Sequence, residues 1–458
     1  MLETPTPATA VVPPSESRRV TVIGCGYLGA VHAASMAMIG HEVLGFDIDP
    51  AKVALLSKAE TPFYEPGLDE LLAEALATGR LRFTTSYAET AEFGEVHFLC
   101  VGTPQRKDSN AADLTHVYDA IDTLAPLLTR PCLVVGKSTV PVGTAELLRD
   151  RITERAPVGA GVRLAWNPEF LREGFAIKDT LSPDRIVVGV DSEADAAELA
   201  TIYAPVLALG MPWVVVDLAT AQLVKSAANA FLATKISFIN AMAELCEATG
   251  ADVTALADAI GHDARIGRRF LNAGLGFGGG CLPKDLRGFM ARAEELGVDQ
   301  ALAFLNSVDD INLRRRRRAI EVTTDLLEGD VRGKRIAVLG AAFKPDSDDI
   351  RDSPALDVAA MLHELGAEVR VNDPKALEKA RERRPELTYL ADPLEACADV
   401  DVVLHLTEWS VYREIDPAVL GKVVRHKRIL EGRHTLDSVA YVREGWDFRA
   451  LGRPHVRG

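Results

Sequence analysis

Short apolar runs alternate with segments of helical spacing along most of this chain. Val20 to Gly24 is the first run, and Ala30 to Ile39 follows it with residues spaced as in a helix. Glu42 to Phe46, Val96 to Val101, Cys132 to Lys137, Arg163 to Trp166, Arg185 to Val190 and Trp213 to Val216 continue the series. Runs this short and this apolar, bounded by polar loops, predict strands. Strands alternating with helices predict an α/β fold with a parallel, doubly wound sheet. Leu218 to Thr249 then runs without proline or glycine, with Leu223, Ala227 and Phe231 at helical spacing. It reads as one helix of roughly 30 residues, about 45 Å at 1.5 Å per residue. The last third repeats the opening: strand Lys334 to Gly340, helix Ala355 to Leu365, strand Glu368 to Asn372, then Val402 to Leu406 and Arg428 to Leu430. The whole is two doubly wound units joined by a long helix.

With 458 residues the chain is too long for one core. We place a tail at 1–18, a first α/β domain at 19–212, a central helical domain at 213–330 and a second α/β domain at 331–458. Residues 1–18 lack the basic-then-apolar order of a secretory leader. No apolar run reaches the roughly 18 residues a membrane span needs. The net charge of −15 argues against nucleic-acid binding, and the six cysteines form no CxxC pair that would mark a metal site. Dispersed cysteines fit a reduced, cytoplasmic setting. The basic run Arg314 to Arg318 is expected to be a solvated helix face or an ion-pair surface between subunits.

Chemistry enters at the first strand–helix junction. Gly24, Gly26 and Gly29 form a GxGxxG directly after a strand, and an acid, Asp47, ends the next strand. That context is the Rossmann dinucleotide fingerprint. Gly24 serves the turn, Gly26 the approach of a pyrophosphate and Gly29 the helix–strand contact. Asp47 would hold a ribose and repel a 2′-phosphate, which favours NAD. The second unit has Ala341-Ala342 where the later glycines would stand, so a second NAD site is not expected there. Polar loops at 102–104, 138–140 and 167–169 follow strands and are candidates to face one cleft.

Five glycines crowd residues 274–285 and lead to Cys281, with Pro283 just beyond. Proline suits a first helical turn, so Cys281 is placed at a helix start, where the dipole favours a thiolate. An incidental buried cysteine in a flexible turn is the competing reading. Lys225 and Asn229 share a helix face, which points either to solvent or into a cleft. Glu169 and Glu173 would share a face if their segment were helical.

These residues lie in motifs, GCGYLG, FDIDPAKV, CVGTP, STVPVGT, NPEFLREG, PDRIVVG, KSAANAF, GFGGGCLPKD and FKPDSDDIRDSP, whose order resembles the UDP-glucose/GDP-mannose dehydrogenase family. The resemblance spans residues 19 to about 440. It implies NAD-dependent, four-electron oxidation of a nucleotide sugar, with two NAD and one water consumed. PDRIVVG and KSAANAF look most like the branch that turns UDP-glucose into UDP-glucuronate; GDP-mannose or UDP-N-acetylmannosamine is the alternative. It implies Cys281 as nucleophile, Lys225 and Asn229 as oxyanion stabilisers, Asp285 and Thr139 as water-positioning groups and Glu169 as acid/base. For the cofactor it implies Gly24, Gly26, Tyr27, Leu28, Gly29, Asp47, Lys52, Thr103, Thr139, Glu173, Lys284 and Arg351. For the nucleotide sugar it implies Glu169, Phe170, Leu171, Arg172, Lys225, Asn229, Arg265 and Asn272. Gly274, Gly276, Phe277, Gly278, Phe343, Lys344 and Arg433 complete that set. The Arg265 position acts across a dimer interface in the family, so at least a homodimer is implied. Gly280 stands where many relatives carry serine.

Overall fold

A computed structural model describes residues 16–457; most of the predicted tail lies outside them. The chain divides into two compact units, Met1–Ala227 and Ala228–Gly458.

The first unit is built on eight strands: β1 (Arg19–Ile23), β2 (Glu42–Phe46), β3 (Leu81–Thr84), β4 (Val96–Leu99), β5 (Cys132–Gly136), β6 (Val162–Trp166), β7 (Ile186–Gly189) and β8 (Trp213–Val216). Their order is β3-β2-β1-β4-β5-β6-β7-β8. Every pair is parallel except β6–β7, where Trp166 stands opposite Gly189 in antiparallel sense. β4 and β5 are buried at every position, as strands of a parallel sheet covered on both faces must be. Alternation sorts their side chains into two cores. Val20, Val22, Phe98 and Val135 belong to one, and Ile23, Leu99 and Val134 to the other. The loops after β1, β4, β5 and β6 leave the sheet at its carboxyl edge, where such sheets hold ligands.

The second unit carries β9 (Arg335–Leu339), β10 (Glu368–Asn372), β11 (Thr388–Tyr389), β12 (Val402–His405), β13 (Arg428–Glu431), β14 (Asp447–Ala450) and β15 (Val456–Arg457). The order β11-β10-β9-β12-β13-β14-β15 repeats that of the first seven strands of the first unit. The final strand alone runs antiparallel. The helix Leu218–Thr249 matches the predicted bounds; it starts in the first unit and ends in the second. Helices Leu282–Glu295 and Phe304–Leu326 also belong to the second unit.

The basic run corrects the sequence expectation. Arg314 and Arg317 are exposed, but Arg315 and Arg316 are buried. Arg315 meets Glu247 at 3.4 Å, and Arg316 meets Asp352 at 2.7 Å and also pairs with Asp357. Five consecutive helical residues sweep more than a full turn, so they cannot share one solvated face.

Candidate active site

In the first unit, Gly24 sits at φ +91° and donates its N–H to the Phe46 carbonyl at 2.8 Å. That left-handed conformation is one a side chain rarely adopts. A Cβ on Gly26 would meet nothing within 4 Å, whereas one on Gly29 would overlap the Gly24 carbonyl. The turn is therefore tight at Gly24, open at Gly26 and packed shut at Gly29. Buried Asp47 accepts N–H bonds from Cys25 and Asp49, each at 3.0 Å, and meets Lys52 Nζ at 2.9 Å. Leu28 packs on the core behind the turn.

Tyr27 opens the helix Tyr27–Met38 and donates its hydroxyl to Glu65. Glu65, which sequence reading passed over, also accepts from the N–H groups of Gly174 at 2.6 Å and Ala176 at 2.7 Å. One buried carboxylate thus ties the glycine turn to the end of the Asn167–Gly174 segment. Burial, followed by this hydrogen bond, pushes the Tyr27 phenol well above its usual range. Glu65 stands in a loop without periodicity, so the sequence offered no signal for it.

Thr103, after β4, donates to the Thr139 carbonyl, after β5, at 2.8 Å. After β6, Glu169 meets Lys225 Nζ at 3.0 Å, with both side chains largely buried. Lys225 Nζ also lies 5.7 Å from the Phe170 ring centre, and Arg185 packs over the same ring at 3.8 Å. Glu169 accepts the Leu171 N–H at 2.9 Å, and exposed Arg172 is bound to Asp179 at 2.7 and 2.8 Å. The segment 167–172 has no regular structure and a turn follows at 173–174. The condition that would have put Glu169 and Glu173 on one helix face is not met: the segment turns instead toward the Glu65-capped helix Ala176–Leu181.

In the second unit, Cys281 is exposed and caps the helix Leu282–Glu295, with proline in its first turn. The other five cysteines are buried. Burial pushes the thiols of Cys100 and Cys397 up to about 12 and that of Cys132 to about 11, which leaves them poor nucleophiles. One turn beyond Cys281, buried Asp285 accepts from Asn229 Nδ2 at 2.6 Å and meets Lys284 Nζ at 2.7 Å.

The glycine-rich loop ahead of Cys281 is held by backbone hydrogen bonds at six of its seven residues, 274–280. Gly274 donates to Asn240 at 2.8 Å and its carbonyl takes Arg315 Nε at 3.2 Å. Leu275 donates to the Gly432 carbonyl at 3.1 Å. The Asn312 carboxamide pairs with Phe277 as a strand would, accepting its N–H at 2.7 Å and donating to its carbonyl at 3.0 Å. Gly279 donates to the Arg351 carbonyl at 2.8 Å, and Gly280 to Asp349 at 3.1 Å. A Cβ on Gly280 would overlap the Arg351 guanidinium, itself bound to Asp349 at 2.7 Å. Arg433 donates to the carbonyls of Leu406 at 2.8 Å, Gly276 at 2.9 Å and Phe343 at 3.4 Å. Gly276, Gly278, Phe343 and Arg433 are thereby gathered around one loop. Lys344 Nζ lies 5.4 Å from the Phe343 ring centre. Arg265 stands apart, exposed and paired with Asp263 at 2.6 Å; exposed Asn272 accepts from Arg268 at 2.8 Å.

The family profile described as the UDP-glucose/GDP-mannose dehydrogenase family matches in three parts: its NAD binding domain at residues 18–207, its central domain at 219–314 and its UDP binding domain at 337–438. A UDP-glucose 6-dehydrogenase of Rickettsia typhi is 41% identical over 435 residues, 94% of this chain and 99% of the relative. Among solved structures, a UDP-glucose dehydrogenase from the archaeon Pyrobaculum islandicum superposes with a TM-score of 0.87 at 38% identity, covering 98% of this chain and all of the other. A UDP-D-ManNAc dehydrogenase from Pyrococcus horikoshii gives 0.83 at 28% identity, with 96% and 100% covered.

Proposed function

The chain belongs to the UDP-glucose/GDP-mannose dehydrogenase family, and from that premise we propose that Cys281 drives a two-stage oxidation of UDP-glucose to UDP-glucuronate. The protein is an NAD-dependent oxidoreductase acting on this nucleotide sugar. The turn at Gly24 fits the cofactor, because it is open over Gly26 and backed by the Asp47 carboxylate. Held there, NAD would supply the hydride acceptor for each of the two stages.

In the first stage the sugar's primary alcohol loses its hydroxyl proton and a hydride and becomes an aldehyde. An aldehyde has no alkoxide to expel a second hydride until a nucleophile adds. The Cys281 thiolate forms a C–S bond to the carbonyl carbon, giving a thiohemiacetal. Loss of the second hydride together with the hydroxyl proton leaves a thioester on Cys281. Water then adds to that carbon, the C–S bond breaks, and the acid leaves with the thiolate restored. Lys225 and Asn229 stabilise the oxyanions by charge and hydrogen bond. Glu169 moves protons in the hydrolysis, and Thr139 and Asp285 orient the water.

The observation that carries this reading is the exposed Cys281 at a helix start, behind a loop bonded to its surroundings at Gly274, Leu275, Gly276, Phe277, Gly279 and Gly280. Such a loop can aim one sulfur without the disorder its glycines would otherwise allow. The test counts NADH. UDP-glucose should yield two NADH per sugar, and Cys281→Ser should lower acid formation by about 10³-fold or more, roughly 4 kcal/mol of lost transition-state stabilisation. One NADH per sugar with an active serine variant rejects the thioester route. Faster turnover of GDP-mannose or UDP-N-acetylmannosamine moves the assignment to a sister activity.

We further propose a homodimer. Phe231, Phe238 and Leu245 recur every seven residues on the long helix and are 67, 49 and 57% exposed, which supports a second copy covering that stripe.

A further inference from the structure

Lys137 ends the run that forms β5 and stands directly before Ser138 and Thr139. It is 7% exposed. Among the described residues no carboxylate lies within ion-pair distance of it. Its ammonium donates to Asn167 Oδ1 at 2.9 Å, with the Tyr203 hydroxyl at 3.4 Å and the Asn167 carbonyl at 3.5 Å. It lies 5.9 Å from the ring centres of both Phe98 and Tyr203. A buried cation with no carboxylate in direct contact is costly to the fold, and an apolar side chain of similar length would pack there at less cost. Residues that weaken the fold in this manner belong disproportionately to functional sites.

Asn167 explains what the charge holds. Its backbone N–H binds the Gly136 carbonyl at 2.7 Å, its Nδ2 binds the Val187 carbonyl at 2.8 Å, and its Oδ1 also accepts the Tyr203 hydroxyl at 2.6 Å. The carboxamide is a hub joining the ends of β5, β6 and β7. Two residues further on, Glu169 meets Lys225. The charged and titratable groups that face Lys137 are Cys100 beyond β4, Glu169 beyond β6, Lys225 on the long helix, His32 on the first helix and Tyr203.

We propose that Lys137 is a positioning residue for the oxidation: it fixes Asn167, and through it Glu169, and adds a second positive charge beside the Glu169–Lys225 pair. That charge favours the carboxylate and any negative oxygen that develops beside it. The inference rests on the reading under Proposed function.

Burial lowers Lys137 to about 8, opposed by Cys100 and Glu169. Its folded value lies below its unfolded one, so the folded chain gives up this proton first. Stability contributed at this site therefore rises as pH climbs from about 8 toward the unfolded value. Two variants separate charge from packing: Lys137→Met removes charge and donor, and Lys137→Gln keeps a donor without the charge. Both should lose kcat at pH 7 by about tenfold, with KM for UDP-glucose and NAD within about threefold. The wild-type to variant ratio of kcat should shrink as pH rises through 8, because the wild-type lysine is then neutral too. Lys137→Met should melt no lower than wild type at pH 7 and lose any advantage at alkaline pH. Three results overturn the proposal: a kcat ratio independent of pH, wild-type turnover in Lys137→Gln, or a Lys137→Met that melts lower and loses rate only with its folded fraction. Absence of wild-type turnover with UDP-glucose rejects the substrate reading instead, and the melting comparison still decides the charge.

Discussion

Asp47 and Lys52 show how much rests on a single pair of side chains. The carboxylate is buried, takes two backbone N–H bonds and holds the lysine at 2.9 Å. It is fixed before any ribose arrives, and its negative charge opposes a 2′-phosphate. Asp47→Asn keeps the shape and the acceptor oxygen but removes that charge and releases Lys52. The ratio of kcat/KM for NAD over NADP should fall by about tenfold, close to 1.4 kcal/mol, while KM for UDP-glucose stays within about twofold. Paired initial-rate measurements with both cofactors decide this, and an unchanged ratio removes Asp47 from cofactor selection. The sequence exposed Asp47 because it ends a strand at a recognisable distance from a glycine turn. It did not expose Glu65 or Lys137, whose importance lies in partners 109 and 30 residues away. An acid in an aperiodic loop and a lysine closing an apolar strand carry no local pattern that reports such partners.

At the scale of the element, the glycine-rich loop gets its definition from the helix beside it. Glycine leaves the backbone free, and Asn312 and Arg315 on the helix Phe304–Leu326 take up that freedom through Phe277 and Gly274. The helices and strands themselves were largely readable: the long helix and β2, β8 and β10 have the bounds that apolar spacing predicts. β3, β11, β14 and β15 were not, because the last three lie among charged residues or have two residues each and β3 is half-buried with an exposed arginine. The basic run misled because a helix carries consecutive residues to opposite sides. That difference has a measurable consequence. Arg315→Ala leaves the Gly274 carbonyl without its buried donor, while Glu247 keeps Arg318 at 2.7 Å, and should cost about 1–3 kcal/mol. Arg317→Ala, at an exposed position, should change stability by no more than about 0.5 kcal/mol. Urea unfolding of the two variants tests the contrast, and equal effects would mean the run acts as a single face after all.

For the molecule as a whole, the repeat of one strand order in both units was foreshadowed by the second β-α-β pattern, and the loss of glycines at Ala341-Ala342 separated their ligands. The assembly is a different matter, since periodicity that marks a core also marks an interface. Phe231, Phe238 and Leu245 fit the helical spacing of a buried face, yet all three are exposed in the single chain. Lys235, between the first two, donates to the carbonyls of Ile266 at 2.9 Å and Gly267 at 3.0 Å. It therefore holds the Arg265 loop beside the same stripe, and a copy seated on the stripe would meet Arg265 as well. Phe231→Glu combined with Phe238→Glu places two carboxylates where two apolar surfaces would otherwise meet, a juxtaposition that strongly opposes association. The wild-type chain should elute and scatter light as a dimer, and the double variant as a monomer with its melting profile otherwise preserved. If Arg265 serves the neighbouring subunit's substrate, the monomer should also show a KM for UDP-glucose raised by about tenfold or more while KM for NAD stays close to wild type. A variant that remains dimeric places the interface elsewhere, and a monomer with unchanged KM for the sugar returns Arg265 to its own subunit.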